Sequence, residues 1–184
     1  MKRTTRETEV EVKECDQPSV EIEIPFFKHM IETLIKHSKL NVCVKARDLQ
    51  GFDDHHLVED VAITFGRFLK ELFRKELKNR FAWSIVPMDE ALALCSVDVS
   101  GRGGFFGEME FKREEIGGLA LENVSHFFET LARESSVTLH LRLLSGSNDH
   151  HKVEALFKSL ALCIAKLFDK ETGVVSAKGV IDLG

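Results

Sequence analysis

Two stretches of this sequence, "DDHHLVED" (53–60) and "NDHHKVEA" (148–155), place adjacent histidines beside acidic residues. A helix turns by about 100° per residue, so residues four apart share a face whereas adjacent residues point apart. His55 therefore lies on the same face as Glu59, while His56 points elsewhere, and the second stretch repeats this arrangement. Each histidine pair is thus better placed to serve two different metal ions than to chelate one. The six donors are His55, His56, Glu59, His150, His151 and Glu154.

Both stretches belong to a longer internal repeat, which joins residues 29–73 with residues 126–168. Each copy begins His-x-x-Glu-Thr-Leu, passes through an alternating apolar segment and a glycine-containing loop, reads Asp-His-His-x-Val-Glu, and ends Leu-Phe. The offset between the copies is 97 residues at the start and 95 at the histidine pairs. Agreement at so many distinctive positions indicates a tandem duplication. The repeat adds His29 and His126 to the candidate donors.

Imidazole nitrogens and carboxylate oxygens, without sulfur, suit divalent Mn, Fe, Co, Ni or Zn. Eight donors shared over two ions give four each, which leaves octahedral ions two positions for water or substrate. Asp54 and Asp149 precede the histidine pairs, and we expect them to accept hydrogen bonds from imidazole N–H groups. A structural metal or a solvated acidic turn is the alternative, and the spacing leaves open whether one chain or two supply the ligands of one ion.

Apolar periodicity predicts the elements that hold these donors. Helical spacing covers 26–38 and 123–134, and it returns from Val58 and Val153 onward. Period-two alternation predicts the strands. Helices on one face of a mainly antiparallel sheet, in two similar units, give an α+β fold. The predicted strands are "TEVEVKE", "SVEIEI", "LNVCVKA", "FAWSIV", "ALALCSVDVS", "FFGEMEF" and "VTLHLRL".

Composition sets the remaining bounds. The 184 residues are 43% hydrophobic and 30% charged with a net charge of −5, so we expect a single domain made of two repeats, about 1–79 and 80–184. Like charges do not cluster, which argues against a nucleic-acid surface. Apolar runs are too short for a membrane span, and the charged N-terminus is unlike a signal peptide. The four cysteines lie far apart, so we expect buried free thiols in a reducing compartment and a cytoplasmic location.

Several single polar residues are weaker candidates. Glu7 lies in an alternating N-terminal segment, and Arg80 follows the long helical pattern. Ser176 and Lys178, in "SAKG", could form an anion-binding turn. Lys158 follows the second pair's glutamate by four residues. A plain surface role is the alternative for each of them.

Taken together, "DDHHLVEDVAITFG", "MDEALALCSVDVSGR", "SGSNDHHKVEALFKSLA" and "SAKGVI" closely resemble the imidazoleglycerol-phosphate dehydratases of histidine biosynthesis. The resemblance runs in order over nearly the whole chain. It implies a duplicated fold of the ribosomal S5 domain 2-like type, with helices packed on one face of each sheet. It also implies removal of water from D-erythro-imidazoleglycerol phosphate to give imidazole acetol phosphate. The family uses two Mn ions and assembles trimers into 24-subunit shells with active sites at subunit interfaces.

The resemblance also assigns roles to residues. Glu7 matches the family's acid/base glutamate, which would take a proton once the metal-bound imidazole ring expels the neighbouring hydroxyl. Arg80, Lys158, Ser176 and Lys178 match positions that hold the phosphate. The implied metal ligands are His29, His55, His56, Glu59, His126, His150, His151 and Glu154.

The sequence departs from the family pattern at Lys28, Thr33, Leu57 and Glu115. Two other functions therefore remain open beside the dehydratase. One is a non-catalytic assembly stapled together by metal ions, and the other is a lyase that acts on a related phosphorylated azole. Retention of Glu7, Arg80 and Lys178 favours catalysis, because a structural staple does not need these residues.

Overall fold

The computed structural model describes residues 1–169, so Ser176 and Lys178 lie outside the described residues. Within this range the chain forms four helices and ten strands. The helices are α1 (Pro25–Ser38), α2 (His55–Glu76), α3 (Glu122–Ser135) and α4 (Asp149–Leu167). The strands are β1 (Lys2–Thr4), β2 (Thr8–Glu14), β3 (Ser19–Glu21), β4 (Val42–Asp48), β5 (Phe81–Met88), β6 (Ala91–Asp98), β7 (Gly104–Glu108), β8 (Glu115–Ile116), β9 (Leu119–Ala120) and β10 (Thr138–Ser145).

The two four-stranded sheets have the same construction. The first has the order β1-β2-β4-β3 and the second the order β5-β6-β10-β7. In each sheet the first three strands pair antiparallel, and the last strand pairs parallel with its neighbour. The predicted α+β class is therefore confirmed, and the duplication seen in the sequence extends to strand order and direction.

The helices lie between the two sheets. α2 packs on β2 and β4, and α4 packs on β5 and β6, while α1 contacts α4 and α2 contacts α3. Apolar residues at helical spacing face this interior, and Phe27, Phe65, Phe127 and Phe157 are fully buried there. Because α1–α4 and α2–α3 contacts join opposite repeats, the core of the molecule is shared by both copies.

Helix boundaries follow the sequence signals. Pro25 stands in the first turn of α1, where its missing N–H would have no helical partner, and the helix ends at Lys39 with φ 59°. α3 ends in the same way at Ser136, with φ 60°. β3 is shorter than the predicted "SVEIEI", and Ile22, just after it, is buried in the core on the approach to α1.

The prediction that all four cysteines are buried free thiols was wrong for two of them. Cys15 and Cys43 form a disulfide, with their Cα atoms 5.9 Å apart. The antiparallel register of β2 and β4, which pairs Lys13 with Cys43, brings the two cysteines together. Cys95 and Cys163 are buried free thiols, as predicted. Among residues 1–169 no helix is long and apolar enough to cross a membrane.

Candidate metal centres

The first cluster of donors, here called the α1–α4 centre, consists of His29, His150 and Glu154. Glu154 Oε2 lies 3.4 Å from His150 Nε2 and 3.8 Å from His29 Nε2. The start of α4 is fixed by the Asn148 side chain, whose Oδ1 accepts a hydrogen bond from the His150 backbone N–H at 2.9 Å. That cap fixes where α4 begins, and the helical turn then puts His150 and Glu154 on one face.

The second cluster, here called the α2–α3 centre, consists of His55, Glu59 and His126. Glu59 Oε1 lies 3.4 Å from His126 Nε2, and the rings of His55 and His126 stack with centroids 4.7 Å apart. Asp53 Oδ1 accepts a hydrogen bond from the His55 backbone N–H at 2.9 Å, which repeats the Asn148 contact of the other centre.

Each centre combines one helix from each repeat. The paired histidine and glutamate come from one copy, and the third donor, His29 or His126, comes from the other. His56 and His151 lie outside both clusters, in agreement with the expectation that adjacent histidines point apart. The structure therefore brings together six of the eight expected ligands, three in each centre.

Both clusters fit a divalent ion. Within each, one ligand atom from every residue lies within 4.8 Å of the others. Metal–ligand bonds near 2.0–2.2 Å place neighbouring ligand atoms about 3–4.4 Å apart, so small side-chain movements suffice. His126 Nε2 is also buried without a hydrogen-bond partner in the described chain. Glu59 Oε1 lies 3.4 Å from this nitrogen without forming a hydrogen bond to it, and a cation on the lone pair of the nitrogen would satisfy it.

A lysine distinguishes the two centres. Lys158 Nζ lies 2.7 Å from Glu154 Oε1, whereas the equivalent position in α2 holds the buried Ile63. Burial raises the pKa of Glu154. The hydrogen bond and charge of Lys158, together with smaller effects of the two centre histidines, outweigh burial and lower the pKa. The net pKa lies below the ordinary value, so Glu154 is a carboxylate ready to bind a cation.

The expected roles of Asp54 and Asp149 were wrong. Asp54 Oδ2 accepts a hydrogen bond from the Ala120 N–H, and Asp149 Oδ2 accepts from the N–H groups of Lys112 and Arg113. Both aspartates therefore fasten the starts of α2 and α4 to the β7–α3 connection and contact no imidazole among residues 1–169.

Two residues that the sequence did not single out take their place. Asn123 Oδ1 lies 3.0 Å from His55 Nδ1, and Glu90 Oε2 lies 2.8 Å from His151 Nδ1. The His151 hydrogen bond, followed by those from the backbone of residues 147 and 148, holds the pKa of Glu90 well below its usual range. The sequence repeat, which joins 29–73 with 126–168, includes neither Glu7 nor Glu90, so it carried no signal for this contact.

Glu7 lies near the second histidine of the first pair. Its Oε2 is 3.4 Å from His56 Nδ1, and both side chains are about two-fifths exposed, at 42% and 41%. The neighbouring Thr8 hydroxyl donates to the buried Asp60, which also accepts from Arg3 Nε at 2.6 Å. These bonds fasten the start of β2 to α2 and so place Glu7 over the histidine pair.

The remaining candidates are placed as follows. Arg80 forms a two-point ion pair with Asp98, at 2.7 and 3.1 Å, and lies over the Phe81 ring. Its contacts within residues 1–169 include neither centre. Of the departures from the family pattern, Leu57 and Thr33 are buried, Lys28 pairs with Glu32 at 3.7 Å, and Glu115 Oε1 accepts from the Gly118 N–H at 2.9 Å.

Fold and site together define a duplicated α+β protein with two histidine–carboxylate centres, a class of protein equipped to hold divalent cations. The sequence profile of the family described as imidazoleglycerol-phosphate dehydratase matches residues 22–164. The chain belongs to this family, whose members are hydro-lyases.

Individual relatives agree with this assignment. The imidazoleglycerol-phosphate dehydratases of Metallosphaera sedula and Saccharolobus islandicus are each 46% identical to this chain, over 96% and 97% of it and over 95% and 96% of their own lengths. The crystal structure of the Pyrococcus furiosus enzyme, solved as a ligand complex, superposes with a TM-score of 0.86 at 33% identity, covering 98% of this chain and 99% of that one. The Staphylococcus aureus enzyme superposes with a TM-score of 0.79 at 28% identity, over 91% and 96%.

Proposed function

We propose that this chain removes water from D-erythro-imidazoleglycerol phosphate to give imidazole acetol phosphate, and that it does so with two divalent ions, Mn being the expected metal. The observation that carries the proposal is the pair of three-donor centres, each built across the two repeats. Family membership supplies the substrate, and the nitrogen and oxygen donors suit Mn. His56 and His151 complete the proposed set of eight ligands.

The side chains around the centres have separate roles. Bound divalent ions would hold the imidazole ring of the substrate and lower the pKa of its N–H. Glu7 takes the proton from the carbon next to the one that loses its hydroxyl, because its exposed carboxylate can reach a bound substrate. Lys158, beside Glu154, is a proposed ligand of the phosphate, and Arg80, Ser176 and Lys178 are the other proposed ligands.

Completion of the centres calls for more than one subunit. His56 and His151 lie outside both clusters of their own chain, and a second copy can use them as ligands. We therefore place the active sites at subunit interfaces of a homo-oligomer, a 24-subunit shell of trimers, in which each chain is one domain of two repeats. A cytoplasmic location, as for other steps of amino-acid biosynthesis, is part of the same proposal.

Turnover by the purified protein tests the proposal. Protein loaded with Mn, mixed with imidazoleglycerol phosphate, is expected to release the ketone product, and Glu7→Gln should abolish turnover with metal content unchanged. Full metal loading without turnover would favour a stapled assembly or another azole substrate. Undiminished turnover by Glu7→Gln would remove Glu7 from the proton transfer.

A further inference from the structure

The duplication has produced two carboxylates in equivalent places. Glu7 immediately precedes β2 and Glu90 immediately precedes β6, and these strands occupy the same position in their sheets. Each carboxylate faces Nδ1 of the second histidine of its repeat's pair, Glu7 at 3.4 Å from His56 and Glu90 at 2.8 Å from His151. The two pairs therefore share an origin and a geometry.

Their surroundings differ sharply. Glu90 Oε1 accepts hydrogen bonds from Ser147 N–H at 3.0 Å, from Ser147 Oγ–H at 3.1 Å and from Asn148 N–H at 2.7 Å. Hydrogen bonds to a charged acceptor are stronger than those between neutral groups, so these three bonds hold the carboxylate in this position. The Glu7 carboxylate contacts only His56 among the described residues. Several hydrogen bonds anchor the Glu90 carboxylate, whereas no hydrogen bond among the described residues holds the Glu7 carboxylate in place.

The anchored carboxylate also determines the state of the imidazole. A carboxylate only accepts hydrogen bonds, so the 2.8 Å contact puts a proton on His151 Nδ1 and leaves the lone pair of a neutral ring on Nε2. His151 Nε2 has no hydrogen bond among residues 1–169, and the exposed Asp89 carboxylate lies 3.5 Å from it. Nε2 therefore lies beside an exposed carboxylate and does not belong to the α1–α4 centre of its own chain.

We propose that Glu90 is the positioning residue for His151, fixing the tautomer and ring orientation in which Nε2 binds the metal ion of a neighbouring subunit. This inference rests on the proposed function of His151 as a metal ligand. It gives the two equivalent glutamates different tasks: Glu7 transfers a proton and Glu90 presents a ligand. Partners of this kind commonly change metal affinity by 10- to 100-fold when they are altered.

The decisive variant is Glu90→Gln, studied by titration of the apoprotein with Mn while the signal of free Mn is followed by electron paramagnetic resonance. The amide oxygen can still accept from Ser147 and Asn148, so the turn is kept. The amide NH₂ now faces His151 Nδ1 as a donor and favours the tautomer with the proton on Nε2, which cannot bind metal. We expect Mn affinity to fall by about tenfold to a hundredfold at one site per subunit.

Two comparisons separate positioning from folding. Ser147→Ala removes one donor to Glu90 but leaves the His151 contact, so its Mn affinity should match the unaltered protein. In a His151→Ala background, Glu90→Gln should have no further effect, because the residue through which it acts is gone. An equal loss in both backgrounds would show that Glu90 only supports the fold, and unchanged affinity in the single variant would also overturn the inference. Failure of the unaltered protein to bind Mn would instead refute the proposed function.

Discussion

Lys158 gives the two centres different charges. Its ammonium group lies 2.7 Å from Glu154 Oε1, and no cation stands at the equivalent position of α2. We predict that Lys158→Met raises KM for the phosphorylated substrate about tenfold or more, because a charge-assisted bond to phosphate is lost. Mn should bind the α1–α4 centre more tightly, because a repelling charge is gone.

Lys166 offers a matched control on the same helix. Its Nζ donates to the Trp83 carbonyl oxygen, remote in sequence and contact from either centre. Lys166→Met should therefore leave KM and Mn affinity unchanged. Steady-state kinetics and Mn titration of both variants decide the matter, and an unaltered KM in Lys158→Met would remove this lysine from phosphate binding.

At the residue scale, the sequence predicted which metal donors share a helix face. It did not predict which donor of another helix completes each centre. His55 with Glu59, and His150 with Glu154, followed from helical geometry within one element. That His29 joins the second pair and His126 the first depends on packing between repeats, which no local pattern contains. Glu90 was missed for the same reason, since its contact with His151 spans 61 residues.

At the scale of elements, the α2–α3 contact fixes one whole centre. Gly66 of α2 lies so close to α3 that an added Cβ would be 2.8 Å from Glu134 Cβ and 3.0 Å from the Leu131 carbonyl oxygen. We predict that Gly66→Ala destabilises the protein by roughly 1–3 kcal/mol, because overpacking outweighs the better helix propensity of alanine. The two helices must separate, so Mn affinity should fall at the α2–α3 centre.

A surface substitution on the same helix is the control for the overpacking expected in Gly66→Ala. Lys75→Ala, at an exposed position near the end of α2, should change the free energy of unfolding by less than about 0.5 kcal/mol. Chemical denaturation measures both variants, and Mn titration of Gly66→Ala should show one weakened site and one normal site. Equal weakening of both sites would mean that the helix pairs are not independent.

The elements themselves were largely predictable. All four helices and the six strands of five residues or more lie where the apolar periodicity placed them, because each buries one face, and β3 keeps three of its six predicted residues. Three-residue β1 has too few residues to show a period, and two-residue β8 and β9 have none. The Cys15–Cys43 bond was missed because the cysteines are 28 residues apart and meet only through strand register.

That disulfide closes a loop containing β3 and all of α1, the helix that carries His29. Loop-closure entropy for a separation of 28 residues corresponds to roughly 3.5 kcal/mol. We predict that reduction lowers Tm by about 10 °C. Calorimetry with and without dithiothreitol tests this, with Cys15→Ser as the control that should show the low Tm in both conditions. Thiol titration of the denatured, oxidised protein should find the two free cysteines; four would contradict the bond.

On the scale of the whole molecule, the two outward faces differ in chemistry. The outer face of the first sheet carries Glu9, Glu11, Lys45 and Arg47, which are paired with one another or with nearby charges or point into solvent. The outer face of the second sheet carries large exposed apolar side chains on its two edge strands, β5 and β7. They are Phe81, Trp83, Ile85 and Phe106. Such a patch favours burial against another copy, whereas the charged face favours solvent.

The proposed assembly would have two kinds of subunit contact, one held by metal ions through His56 and His151 and one by the apolar sheet face. We predict that a chelator shrinks the particle to an intermediate size, because apolar contacts do not need metal. Trp83→Asp, whose parent side chain is 68% exposed in the single chain, should reduce the chelated particle to monomers, because a carboxylate is costly to bury. Sedimentation velocity with and without Mn measures both steps, and Lys45→Asp on the opposite face is the control that should assemble normally. A particle unchanged by chelation would exclude metal-bridged interfaces, and an intermediate that survives Trp83→Asp would place the second contact on another surface.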